Sequence, residues 1–163
     1  MSHTAYIGVG TNLGDRLANY RGAVERIGEL DDTRVTRQSS MYETEPHGKA
    51  RKWFINGVVE ITTEMEAKDL LKHLQKIEVA LGRKKAPKTS VSRVIDLDIL
   101  LFDSQVISTR TLKVPHPELP NRRFVLMPLS ELAPALRHPV LTTTISTLSV
   151  TTDDKTRIGL FKP

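Results

Sequence analysis

Cysteine is missing from this 163-residue chain, which excludes disulfides, thiolate zinc sites and cysteine nucleophiles. Aromatic residues are sparse at 5%, with one tryptophan, so the aromatic-rich signature of RNA-recognition domains is absent. No apolar run approaches the roughly 20 residues a membrane helix needs, and Met1-Ser2-His3-Thr4 shows no basic stretch leading into an apolar one. No membrane partner and no leader are therefore expected, and a cytoplasmic location is the default. The length suits a single domain, residues 1–163, with a real core. Its chemistry must come from Asp, Glu, His, Arg, Lys or hydroxyls.

What is present leans basic. A net charge of +5 and a pI near 9.6 favour an anionic partner without separating nucleic acid from nucleotide. The distribution says more. Arg83, Lys84, Lys85, Lys88 and Arg93 crowd a short loop, with Pro87 and Thr89-Ser90 among them, just before an unusual strand.

That strand is Arg93-Val94-Ile95-Asp96-Leu97-Asp98-Ile99-Leu100-Leu101-Phe102. Alternation at about 3.3 Å per residue puts Asp96 and Asp98 on one face, roughly 6.6 Å apart, with Ile95, Leu97, Ile99 and Leu101 on the other. Two like charges at that distance repel by about 2 kcal/mol at an effective dielectric near 20, and a divalent cation would reverse the sign. The plain alternative is a solvated face of an antiparallel strand.

Residues 4–10 predict a first strand, and Asp15 predicts the N-cap of a helix with Leu17, Tyr20, Val24 and Ile27 on one stripe. A weaker strand over 33–42 and a loop over 43–52, holding Pro46 and Gly48, come next. In a strand over 53–63, Phe54, Asn56, Val58 and Glu60 share one face. Thr63 with Glu66 predicts a capping box for a helix carrying Leu70, Leu71, Leu74, Ile77 and Leu81, with Glu78 at its edge and Gly82 as its stop. The order strand, helix, strand, strand, helix, strand is ferredoxin-like: an α+β fold whose antiparallel sheet carries helices on one face, leaving Phe54, Asn56, Asp96 and Asp98 open on the other. A hairpin over 106–114, a proline-rich corner, a helix over 125–132 and a threonine-rich tail complete the chain.

Gly8-Val9-Gly10-Thr11-Asn12-Leu13-Gly14 follows a strand and opens a helix, but its spacing is one residue too long for a dinucleotide fingerprint. A tight strand-to-helix turn accounts for it. His116 stands between two prolines, a setting that aims an imidazole, with Arg122 near; His3, His47, His73 and His138 show no ligand spacing. Two hard oxygen ligands suited to Mg²⁺, arginines at both ends of a basic loop and a possible ring-binding face together point to phosphoryl-type transfer involving a nucleotide. An RNA-binding module of similar strand and helix order is the rival, opposed by two carboxylates that would repel a phosphate backbone.

From about residue 4 to 135 the chain resembles the 6-hydroxymethyl-7,8-dihydropterin pyrophosphokinases of the folate pathway. The likeness is carried by Gly10-Thr11-Asn12-Leu13-Gly14, Tyr42-Glu43-Thr44-Glu45-Pro46, Phe54-Ile55-Asn56, Glu78 through Gly82-Arg83, Arg93 through Asp98, and Val114-Pro115-His116-Pro117 through Asn121-Arg122-Arg123-Phe124. The resemblance implies transfer of the pyrophosphoryl group of ATP, the co-substrate, to the pterin alcohol, with AMP released. It implies that Asp96 and Asp98 hold two Mg²⁺ ions, and that Arg83 and Arg93 act with them at the phosphates. His116 and Arg122 match further phosphate contacts, and Glu78 lies near the nucleotide. Phe54 and Phe124 would sandwich the pterin, with Asn56 and Thr44 at its polar edge. A monomer without a nucleic-acid partner is expected. Where the family often has Trp-Gly-Pro before the second arginine, this chain has Ser90-Val91-Ser92, which implies altered substrate affinity with activity retained.

Overall fold

The computed structural model describes residues 1–46, 52–83 and 93–163; His47 and Gly48, and the basic stretch 84–92 with Ser90-Val91-Ser92, lie outside the described residues. Alternating apolar residues set the middle of the sheet. Strand β1 (His3–Thr11) is flanked on one side by β4 (Phe54–Thr63) and on the other by β5 (Asp96–Phe102), both antiparallel. Beyond β4 come β2 (Thr33–Gln38) and β3 (Tyr42–Thr44), and β3 pairs in turn with β8 (Ile158–Leu160). With β2 and β3 taken as one broken strand, the core order is the ferredoxin-like one.

Helices α1 (Arg16–Gly28) and α2 (Ala67–Ala80) cover one face. Tyr20, Ala23, Val24 and Ile27 of α1, and Leu70, Leu74 and Ile77 of α2, pack there on Ala5, Ile7, Val9, Ile55, Val59, Ile61, Leu97 and Ile99. Asp15 caps α1 as expected, accepting from the Ala18 N–H at 3.1 Å. Gly82 ends α2 with φ +102°. A second core forms on the other face, where α3 (Arg123–Leu132) and α4 (Ile145–Thr151) bring Val125, Leu126, Leu129 and Ile145 onto Tyr6, Val58, Leu100 and Leu101. The expected C-terminal hairpin is β6 (Ile107–Ser108) with β7 (Lys113–Val114). The far face is thus half covered, and the uncovered half is the candidate site.

Four expectations change. The strand over 33–42 is two strands, because the chain turns inward at Ser39, whose N–H donates to the Val58 carbonyl, and Glu43 and Thr44 join the sheet instead of a loop. Thr63 belongs to β4 and does not cap α2; its hydroxyl takes the Met65 N–H, while Glu66 turns to His3 at 3.2 Å. A bulge in β5, where Tyr6 opposes Leu101 but Ile7 opposes Ile99, breaks the alternation at Leu100. Leu101 therefore joins the second core with Leu100, and Phe102 takes its place in the first. The threonine-rich tail, to which no element is assigned from the sequence, supplies α4 and β8.

Gly57 shows how tightly α1 seats on the sheet, since a Cβ there would lie 1.9 Å from the Tyr20 hydroxyl oxygen and 3.0 Å from Cζ. Gly57→Ala is expected to cost about 2 kcal/mol by overpacking, read from urea midpoints, and Tyr20→Phe in the same background to recover part of that loss. Additive costs from the two changes would contradict the contact.

Candidate active site

Antiparallel register builds the site from three neighbouring strands. Gly10 of β1 stands between Asn56 of β4 and Asp96 of β5, and Gly8 stands between Val58 and Asp98. Both glycines lie within β1 and form the floor of a pocket of about 520 Å³; of the three in the motif, only Gly14, at φ +71°, serves the turn expected for them all. A Cβ on Gly10 would sit 2.5 Å from the Asn56 side-chain oxygen. Two strand spacings put Asn56 and Asp96 about 10 Å apart across this floor, room for a flat ring on one side and charged groups on the other.

The ring side is β3, β4 and the start of α3. Asn56 is buried and donates from its amide to the Thr44 hydroxyl at 2.7 Å, so the two offer one polar edge at the pocket wall. Phe54 and Phe124 line the same pocket, with the Arg122 guanidinium 5.6 Å from the Phe124 ring centre. The charged side is β5. Arg93, Asp96, Asp98 and Arg122 line it, along with Glu118 and Asn121, which were not foreseen.

Glu78, Arg83 and His116 are not among the residues lining the pocket; Glu78 stands behind β5, whereas His116 lies within electrostatic reach of Arg122 and Asp96. One oxygen of buried Glu78 accepts both the Leu97 N–H, at 2.9 Å, and the Arg83 guanidinium, at 2.5 Å. Arg83 goes on to Asp96 at 3.1 Å. Glu78 therefore anchors β5, a role the sequence could not display because its partner is a backbone N–H 19 residues away. Burial raises its pKa, against the pull of the Leu97 N–H and Arg83. His116 is fixed by its own N–H on the Leu100 carbonyl and by its Nδ1, which accepts from the Glu118 N–H at 3.1 Å. That leaves a neutral ring with Nε2–H as its donor. Burial first, and Arg122 second, lower its pKa.

Asn12 is the missed residue that matters most. Fully buried, it accepts the Arg93 N–H at 2.8 Å and donates to the Lys52 carbonyl at 3.1 Å, tying together the chain on either side of the pocket. Its place in Gly10-Thr11-Asn12-Leu13-Gly14 was the available signal.

The donor set suits a hard divalent cation. Asp98 has a pKa pushed up to about 7, first by burial, then by the charges of Asp96 and Glu78. Among the described residues Arg122 and Arg83 offset that crowding of carboxylates, and a divalent cation such as Mg²⁺, which takes one or two carboxylates and completes its shell with water and phosphate oxygens, would relieve it further. The sign for stability follows: a raised acid pKa stabilises the fold below about pH 4 and loses that contribution as pH climbs towards 7. In EDTA, Asp98→Asn should therefore melt higher than wild type at pH 8 and no higher at pH 4 by scanning calorimetry. Equal gains at both pH values would contradict the assignment.

Residues 6–134 match the family model of 7,8-dihydro-6-hydroxymethylpterin-pyrophosphokinase. Over 133 residues the chain is 41% identical to the 2-amino-4-hydroxy-6-hydroxymethyldihydropteridine pyrophosphokinase of Methylorubrum extorquens, covering 81% of this chain and 84% of that one. The enzyme of that name from Bacillus subtilis is 43% identical, over 81% and 79% of the two chains. Among solved structures, Plasmodium falciparum HPPK-DHPS with pteroate superposes with a TM-score of 0.74 at 17% identity, over 92% of this chain and 42% of that longer one. That likeness speaks to the α+β fold alone. Nothing in these similarities supports an RNA-binding module, and the chain belongs to the 7,8-dihydro-6-hydroxymethylpterin pyrophosphokinase family.

Proposed function

We propose that this pocket carries out the family's reaction with Asp96 and Asp98 as seats for two Mg²⁺ ions, and with Arg93, Arg122 and His116 on the phosphates of ATP. In that reaction the pterin hydroxymethyl oxygen bonds to the β-phosphorus, the bond from the α-phosphate bridge to that phosphorus breaks, and the pterin diphosphate and AMP leave. The observation that supports the assignment is the row Asn56–Gly10–Asp96, an amide and a carboxylate on either side of a bare glycine across one flat floor.

The residues divide the work. Thr44 and Asn56 meet the polar edge of the pterin, and Phe54 and Phe124 take its faces, so its hydroxymethyl group is directed towards β5. Arg93 and Arg122 bind phosphate oxygens and favour the charge that develops during transfer. His116 donates through Nε2. Arg83 holds the Asp96 carboxylate in place and is itself held by Glu78. When bound, Mg²⁺ supplies neutralisation of the triphosphate and alignment for in-line displacement. One chain furnishes the whole pocket, so a monomer is sufficient, and ATP as a substrate suits a cytoplasmic setting. Among the described residues no helix is long and apolar enough to cross a membrane.

A coupled ATP-to-AMP assay, run with and without the pterin alcohol and Mg²⁺, tests the proposal. AMP should form only when all are present. Asp96→Ala and Asp98→Ala should each lower kcat by about 10³-fold or more while circular dichroism and pterin binding persist. AMP formation indifferent to Mg²⁺ would overturn the metal assignment, and none at all with wild type would overturn the reaction.

A further inference from the structure

The two walls of the pterin side come from parts of the chain that do not touch in sequence. Thr44 ends β3 with Glu45 just after it, and Phe124 lies in the first turn of α3. Glu131 of α3 accepts from the Tyr42 hydroxyl and the Ser40 N–H at the far end of β3; the link at the pocket end lies outside the residues matched to the family model, in the segment 154–157.

At one end of this segment Asp154 does the work of a helix cap. Helix α3 has Arg122 at its N-cap position with no side-chain cap bond of its own. The Asp154 carboxylate accepts the Arg123 N–H at 2.7 Å, supplying from 31 residues away what a local Ser or Asp supplies in most helices. A carboxylate there also complements the positive end of the helix dipole. The other oxygen of Asp154 accepts from the Thr156 N–H and hydroxyl, so the carboxylate is itself fixed. The Arg123 side chain returns the contact, donating to the Thr156 carbonyl at 3.0 Å.

At the other end Arg157 grips β3. Its carbonyl accepts the Glu45 N–H at 3.0 Å, its Nε donates to the Glu45 carboxylate at 2.6 Å, and its guanidinium lies 5.3 Å from the Trp53 ring centre, next to Phe54. Ile158 then pairs with Thr44 as β8 begins. Three residue steps, at most about 10 Å of chain, link the two walls.

We propose that residues 154–157 form a strap that sets the gap between the Thr44–Glu45 wall and Phe124 at the pocket end, and so positions the pterin. This rests on the function proposed above for the pocket. Asp154 and Arg157 are positioning residues, and the strap's hydrogen bonds named above fall on the two pterin walls.

The test uses the full chain and compares Asp154→Ala and Arg157→Ala with the conservative Asp154→Asn, which keeps an acceptor oxygen. Each alanine variant should raise the KM for the pterin alcohol about fivefold, leaving the KM for ATP and kcat within about twofold, and Asp154→Asn should restore most of the pterin affinity. Amide exchange at Arg123 and Phe124 should speed up in Asp154→Ala with circular dichroism unchanged. That exchange readout needs no substrate, so it separates failure of the strap from failure of the pterin assignment. Unchanged exchange and an unchanged pterin KM would overturn the strap. A parallel rise in the KM for ATP, or loss of fold in both Asp154 variants, would assign the segment a general structural role and overturn it equally.

Discussion

The site depends on a single buried carboxylate oxygen. Glu78 reaches from α2 to β5 and accepts the Leu97 N–H, which fixes the strand between its two aspartates. With Leu97 pinned towards the helices, alternation forces Asp96 and Asp98 to the opposite face. The same oxygen accepts from Arg83, and Arg83 then restrains Asp96. A carboxylate left buried without those donors would be strongly destabilising, so the structural duty and the electrostatic duty of Glu78 are inseparable.

Charge balance around β5 explains why the pocket suits an anion with its cations and not an anion alone. Asp96, Asp98 and Glu78 sit close together, and burial first, then the charges of Asp96 and Glu78, raises the pKa of Asp98. Arg83 is engaged with two of them, leaving Arg93 and Arg122 to face the pocket. A triphosphate entering by itself would meet carboxylates, whereas one carrying divalent cations satisfies carboxylates and arginines together. The net basic charge of the chain gives long-range attraction; the short-range pattern decides what fits.

Much of this was legible in the sequence because it rests on local pattern. Period-two alternation placed Asn56 with Phe54 and Asp96 with Asp98, period 3.6 placed both sheet-covering helices, and Asp15 and Gly82 marked helix ends. What escaped was set by distant partners. The bulge that turns Leu101 away from its expected core arises in pairing with β1, Thr63 caps no helix because it pairs in the sheet with His3 and Thr33, and the anchoring of β5 by Glu78 was hidden because its backbone partner is not encoded nearby. The glycines of β1 were mistaken for turn residues since their real constraint, the Asn56 oxygen above Gly10, comes from another strand.

These constraints give the two halves of the pocket different mechanical characters. The floor cannot rise, because any side chain at Gly10 meets Asn56, and β5 cannot roll, because Leu97 is pinned from behind. The walls of the ring side are held otherwise: Thr44 is tied to the sheet through Asn56 and Glu131 of α3 holds Tyr42, while at the pocket end hydrogen bonds and an ion pair nearer the surface, at Asp154 and Arg157, link the two walls. Under the proposed function, sequence change in the walls would retune the fit of the ring while the carboxylate row on β5 stays fixed, placing specificity and catalysis on separable parts of one small fold.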